Sequence, residues 1–65
     1  MNTNKLRGII AERGMTQEKV AIALGMTPKT FYSKMKKGVF DTDEAIRMVE
    51  LLDIEKPADI FLKNK

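Results

Sequence analysis

Between Thr27 and Gly38 the chain reads TPKTFYSKMKKG, with Lys29, Lys34, Lys36 and Lys37 and no acidic residue. Ammonium groups at this density have one chemical competence: they donate hydrogen bonds to anionic oxygens as permanent positive charges. Ser33 adds a hydroxyl that can donate or accept, and Tyr32 adds a ring that can stack. Phe31 and Met35 are the large apolar anchors of the stretch. A helix made solely for packing would carry a wider apolar stripe and mixed charges. The stretch therefore points to a face set against a polyanion. The plainer alternative is a basic face that is simply solvated.

The rest of the chain sharpens the contrast. Net charge is +3 over 65 residues, yet positions 41–55 hold Asp41, Asp43, Glu44, Glu50, Asp53 and Glu55 against Arg47 alone. The protein is thus a dipole, with one face suited to a polyanion and the other to water or a cationic partner. The carboxylates have no neighbour resembling a nucleophile or metal ligand, and they read as solvated surface. Cysteine and histidine are both absent. Disulfides, thiolate or imidazole metal sites and the usual general base near neutral pH are excluded with them. Neither an enzyme nor a cofactor is expected, and no small-molecule substrate. From this length a single domain, 1–65, with a compact core and without an effector-binding domain is expected. No run approaches the roughly 18 apolar residues of a membrane span, and Met1 to Arg7 lacks the apolar centre of a signal peptide. A cytoplasmic location is expected.

The elements that must position the lysines follow from periodicity and from start and stop signals. Leu6, Ile9 and Ile10 recur at helical spacing and predict a helix over 3–13; Gly8 inside it is explained by close packing against another backbone. Gly14 ends that helix, Thr16 caps the next, and Gln17 and Glu18 enter its first turn. The second helix, 17–24, is apolar at Val20, Ala21 and Leu24. Gly25 stops it and Thr27 caps a third, 28–37, with Pro28 at the first position, where a missing N–H is harmless. Gly38 closes this helix, and Val39 and Phe40 form an apolar loop expected to tuck into the core.

Asp41 and Glu44 have capping-box spacing, so a fourth helix runs over 42–52 with Ala45, Ile46, Val49 and Leu52 as its buried face. Pro57 starts a short fifth helix with Ile60 and Phe61 inward, and the tail Lys63-Asn64-Lys65 is expected to fray. Leu24, Phe31, Ile46 and Val49 are expected to be buried together. The five methionines read as core filler, whereas Ile22 finds no place. The fold class is all-α, a compact bundle of about five short helices.

Two short helices joined by a tight, glycine-containing turn form a helix-turn-helix, here over 17–37, whose second member can enter the DNA major groove. Ala21 suits a close helix crossing, Gly25 supplies the positive φ of the turn, and Val20, Leu24, Met26 and Phe31 fill the angle between the helices. The stretch TQEKVAIALGMTPKTFYSKMKKG resembles the helix-turn-helix of the phage Cro/repressor-type family. The shared features are Gln17 opening the second helix, Ala21, Gly25, the apolar residue after it, and Phe31. The order Gln-x-x-apolar-Ala-x-x-apolar-Gly-apolar outweighs any single residue in it. The flanking helices extend the resemblance over nearly the whole chain.

The resemblance implies a lambda-repressor-like DNA-binding domain and a transcriptional regulator of phage or prophage type. It also implies a symmetric homodimer on a two-fold related double-stranded DNA operator. Two features depart from the family. Its last buried recognition-helix residue falls at the position of Lys34, but here the apolar residue is Met35, which rotates the mean buried direction by about 50°. In parts of the family the opening glutamine braces a polar side chain where this chain has Pro28, and proline cannot take that part.

With Phe31 and Met35 inward, the expected base-contacting residues are Pro28, Lys29, Tyr32, Ser33 and Lys36. Lysine can donate to guanine O6 or N7, and serine can pair with several base edges. Gln17, Thr27, Lys34 and Lys37 are expected on phosphates, together with free N–H groups at the starts of the second and third helices. Plainer alternatives remain: a partly covered surface aromatic for Tyr32 and an ordinary polar first-turn residue for Gln17. The fifth helix and its neighbours carry the expected dimer surface, because Phe61 and Leu62 do not easily fit inside together. The competing reading is a small helical protein-interaction module, an antirepressor or adaptor. It would use the acidic fourth helix or Ile22 and leave the third helix as a solubilising surface.

Overall fold

In the computed structural model, which describes residues 1–62, the elements run α1 Thr3–Glu12, α2 Gln17–Ala23, α3 Pro28–Lys37, α4 Thr42–Leu52 and α5 Pro57–Phe61. The described residues contain no strand, so the chain is all-α. The tail Lys63-Asn64-Lys65 lies outside them.

Local chemistry explains where each helix begins. The Asn2 side chain accepts from the Lys5 N–H, Thr16 from Lys19 and Thr27 from Thr30, at 3.1, 3.1 and 3.2 Å. Asp41 accepts from the Glu44 N–H at 2.8 Å while Glu44 Oε1 accepts from the Asp41 N–H at 3.0 Å, a complete capping box. Each cap satisfies a backbone donor that the helix itself cannot, a gain of about 1 kcal/mol. Pro28 and Pro57 each open a helix within its first two positions.

The ends of α1 to α4 share one device. Past the end of α2, the Gly25 N–H donates to the Ile22 carbonyl and the Met26 N–H to the Ala21 carbonyl, both at 3.0 Å. The same pattern closes α1 through Gly14 and Met15 and α3 through Gly38 and Val39. It requires a left-handed residue at the hinge. At Gly25 (φ 79°) the requirement is purely conformational, since an added Cβ would meet nothing within 4 Å. Asp53 takes the same conformation without glycine's freedom, at φ 51°. Arg13 fastens that end of α4: its Nε donates to the Leu52 carbonyl at 2.6 Å and its Nη2 to the Asp53 carbonyl at 3.0 Å.

The core takes Leu6 and Ile10 from α1, Val20, Ala21 and Leu24 from α2 and its cap, and Phe31 and Met35 from α3. Met48, Leu52, Ile54 and Ile60 complete it, and no buried residue is polar or charged among those described. Phe40 covers Phe31 with ring centroids 5.3 Å apart and planes tilted by 52°. Met1, Met15 and Met26 are half-buried against this core, so every methionine contributes to it. The N-terminus is pinned to α5 by a 2.8 Å bond from the Asn2 N–H to the Ile60 carbonyl.

Three expectations are corrected. Ile46 is 52% exposed, and Met48 takes the inward position. Ala45, Met48, Val49 and Leu52 have the i, i+3, i+4, i+7 spacing of one helix face, and Ile46 lies about 100° away from Ala45 on the helix. Val49 packs half-buried against the core. Val39 does not tuck in; it is 64% exposed. The N–H of the residue after each left-handed hinge donates to a carbonyl of its own helix, that of Ile10, Ala21 or Val49 elsewhere but that of Lys34 on α3. Ile10 and Ala21 are buried and Val49 packs against the core, whereas Lys34 is not part of it, and Val39 stays at the surface. Gly8 is exposed, and a Cβ there would meet nothing within 4 Å, so no backbone packs close against it.

Gly8 therefore carries the helical cost of glycine without a compensating contact. Gly8→Ala should stabilise the fold by about 0.5–1 kcal/mol in urea titration. In the same assay Met48→Ala should cost about 2–5 kcal/mol. Ile46→Ala, assayed on dilute protein, should stay within about 0.5 kcal/mol of the parent.

Candidate nucleic-acid interface

The position of α3 is fixed by its two buried side chains. Phe31 and Met35 sit in the core, and at about 100° per residue Ser33 falls directly opposite their mean direction. Lys29 and Lys36 flank Ser33 on one side and Lys37 on the other. All four are exposed, as is Tyr32. The helix thus turns a wholly polar, basic face outward. Turn and caps hold that face in register: Gly25 reverses the chain after α2, and Thr27 both caps α3 and shares a 3.0 Å hydroxyl–hydroxyl bond with Thr30.

Of the expected contact residues, the structure gathers Lys29, Ser33, Lys34 and Lys37 around one open surface depression of about 490 Å³. Thr30 and Val39 complete its lining. Thr30 is the residue the sequence reading missed. Its spacing to Ser33, Lys34 and Lys37 is i, i+3, i+4, i+7, the signal that could have found it. Tyr32 and Lys36 lie on the other flank of α3, outside the depression. Pro28 is half-buried at the first helical position, and Thr27 is occupied as the cap. Gln17, half-buried, opens α2.

Lys34, expected on a phosphate, is paired within the protein. Its Nζ is held by Glu44 of α4, 2.7 Å from Oε2 and 2.9 Å from Oε1. Glu44, read from the sequence as solvated surface, is therefore a structural partner; its side chain retains 17% exposure and that of Lys34 32%. The remaining lysines of α3 form no ion pair within the described residues. Opposite-charge contact across two helices leaves Lys29, Lys36 and Lys37 as the free cations of this face.

A second surface is apolar. Val39, Ile46 and Leu62 are exposed around a groove of about 480 Å³ that Phe40, Val49 and Phe61 also line. Phe61 is half-buried and Leu62 exposed, in keeping with the expectation that both could not be housed inside. Among the described residues no cluster of side chains has metal-ligand composition, and no helix is long and apolar enough to cross a membrane. Comparison with protein-family models finds no match, and no curated protein or solved structure is significantly similar to the chain.

Thr27 is the hinge between the turn and the candidate face. Thr27→Ala should remove the α3 cap and cost about 0.5–2 kcal/mol. For a domain of this size that corresponds to a fall in melting temperature of about 4–8 °C per kcal/mol, read by circular dichroism. Thr27→Ser, which keeps the accepting oxygen, should retain most of the stability.

Proposed function

We propose that the protein is a sequence-specific double-stranded DNA-binding transcriptional regulator of phage or prophage repressor type, acting in the cytoplasm, with α3 as the helix that enters the major groove. The observation that carries this reading is the outward face of α3. Lys29, Ser33, Lys36 and Lys37 are exposed opposite two fully seated anchors, on the second helix of a pair joined by a left-handed glycine. A helix in that position presents its side chains to base edges while neighbouring lysines meet phosphates. Lys29, Ser33, Tyr32 and Lys36 face the bases in this reading, with Pro28 setting where the helix begins. Gln17, Thr27 and Lys37 meet the backbone. The role is one of binding, not catalysis.

A homodimer on a two-fold related operator completes the reading, since one small domain covers few base pairs and two half-sites multiply specificity. The apolar groove bordered by Val39, Ile46 and Leu62 is the surface available for pairing. That groove also favours a second reading, a protein-interaction module in which the groove receives another protein and α3 merely solubilises. The two differ in their response to salt. Counterion release makes duplex binding fall steeply with ionic strength, whereas apolar docking changes little.

A dimer should bind duplex DNA with a log–log salt slope near −5, from about six neutralised phosphates. Lys37→Ala should weaken every sequence alike and make that slope shallower. Lys29→Ala, folded by circular dichroism, should cost about 1–3 kcal/mol on the preferred site and relax one base position. Ser33→Ala should do less, because a hydroxyl makes a single adaptable bond. Absence of duplex binding at low salt, with retained binding to a protein partner, would sink the DNA reading in favour of the second.

A further inference from the structure

Lys34 lies in the same depression as Lys29 and Lys37, but its ammonium is turned away to the Glu44 carboxylate, with both oxygens within 2.9 Å. Glu44 is not free to follow it outward. It sits in the first turn of α4, and its Oε1 also accepts from the Asp41 N–H at 3.0 Å, so the cap and the lysine hold it together. With 17% of its side chain exposed and Oε1 bound to the cap, the carboxylate would lose its ammonium partner if Lys34 turned to a phosphate. Leaving it breaks a charge-assisted contact to both carboxylate oxygens, which a phosphate must outcompete. A lysine of this basic face is thus committed inside the protein before any polyanion arrives.

We infer that Glu44 is a positioning residue that withholds Lys34 from phosphate contact, pinning the C-terminal half of α3 to α4 and setting the number of lysines that engage the DNA backbone. The inference rests on the DNA-binding reading of α3. Its consequence is a lower sequence-independent affinity than the four lysines of α3 would otherwise give, because that term scales with the phosphates neutralised. Base readout by Lys29 and Ser33 is left in place while α3 keeps a fixed roll against the core.

The test compares the parent, Glu44→Gln, Lys34→Gln and the double variant on a non-specific duplex across a salt series, with helicity checked for each. Glutamine suits the capping box as glutamate does, so Asp41 keeps its acceptor while the charge that holds Lys34 is lost. Glu44→Gln should steepen the slope by about 0.9 for each protomer and raise affinity roughly fivefold per protomer near 0.15 M salt. Lys34→Gln alone should leave the slope unchanged, and in the double variant the gain should vanish. An unsteepened slope in folded Glu44→Gln overturns the inference, and so does a shallower slope in Lys34→Gln, which stands as a test even if Glu44→Gln does not fold. A parent that binds no duplex overturns the DNA reading itself, and this inference falls with it. A parent that binds with the expected slope confines any failure to Glu44.

Discussion

Phe31 and Met35 are the two side chains that α3 sends into the core, and their seating determines what every other residue of that helix can touch. A rigid helix has one rotational degree of freedom about its axis. Two buried anchors four residues apart remove it. Phe40 folds back over Phe31 from the loop after α3, so the anchor is clamped from outside as well. Had Lys34 and Met35 exchanged places, the buried direction would turn and bring different residues to the outer pole. The outward position of Ser33, with lysines on both sides, is a packing result before it is a functional one.

The remainder of the molecule serves to hold that helix with very little material. Without cysteine or histidine, the chain has no disulfide or common metal staple. It relies instead on helix termini that are satisfied at nearly every turn. Side-chain caps start α1 to α4, and left-handed hinges end them or follow one residue later. Arg13 reaches across 39 positions of sequence to the last carbonyls of α4, and Lys34 reaches Glu44 at the other end of the same helix. The fourth helix is thereby fixed at both ends by cations from elsewhere. Its exposed Ile46 is then free to border the groove rather than fill the core.

Much of this was legible in the chain because it is local. Thr16, Thr27 and Asp41 start helices through bonds to residues three positions on, and glycines 14, 25 and 38 end them, so the boundaries follow from neighbours in sequence. The inward and outward sides of α3 were legible too, since two large apolar residues among lysines leave little choice. What escaped was tertiary or ambiguous. On α4 the apolar residues occupy more than one face, so a face through Ile46 is as easily drawn as the i, i+3, i+4, i+7 set through Met48 that the core uses. The Lys34–Glu44 pair joins two helices through a contact that no periodicity encodes. The open space around Gly8 removes the packing reason that a glycine inside a helix suggests.

The proposed reading makes α3 a groove-reading helix presented by a fold that does little else. Its most direct test is selection of bound sites by the intact protein from random duplex DNA. Enrichment of one motif, as two inverted half-sites about one helical turn apart, is the predicted result. A bound pool with the same base composition at every position as the starting library, at a salt concentration where the protein is folded and DNA is retained, would contradict it.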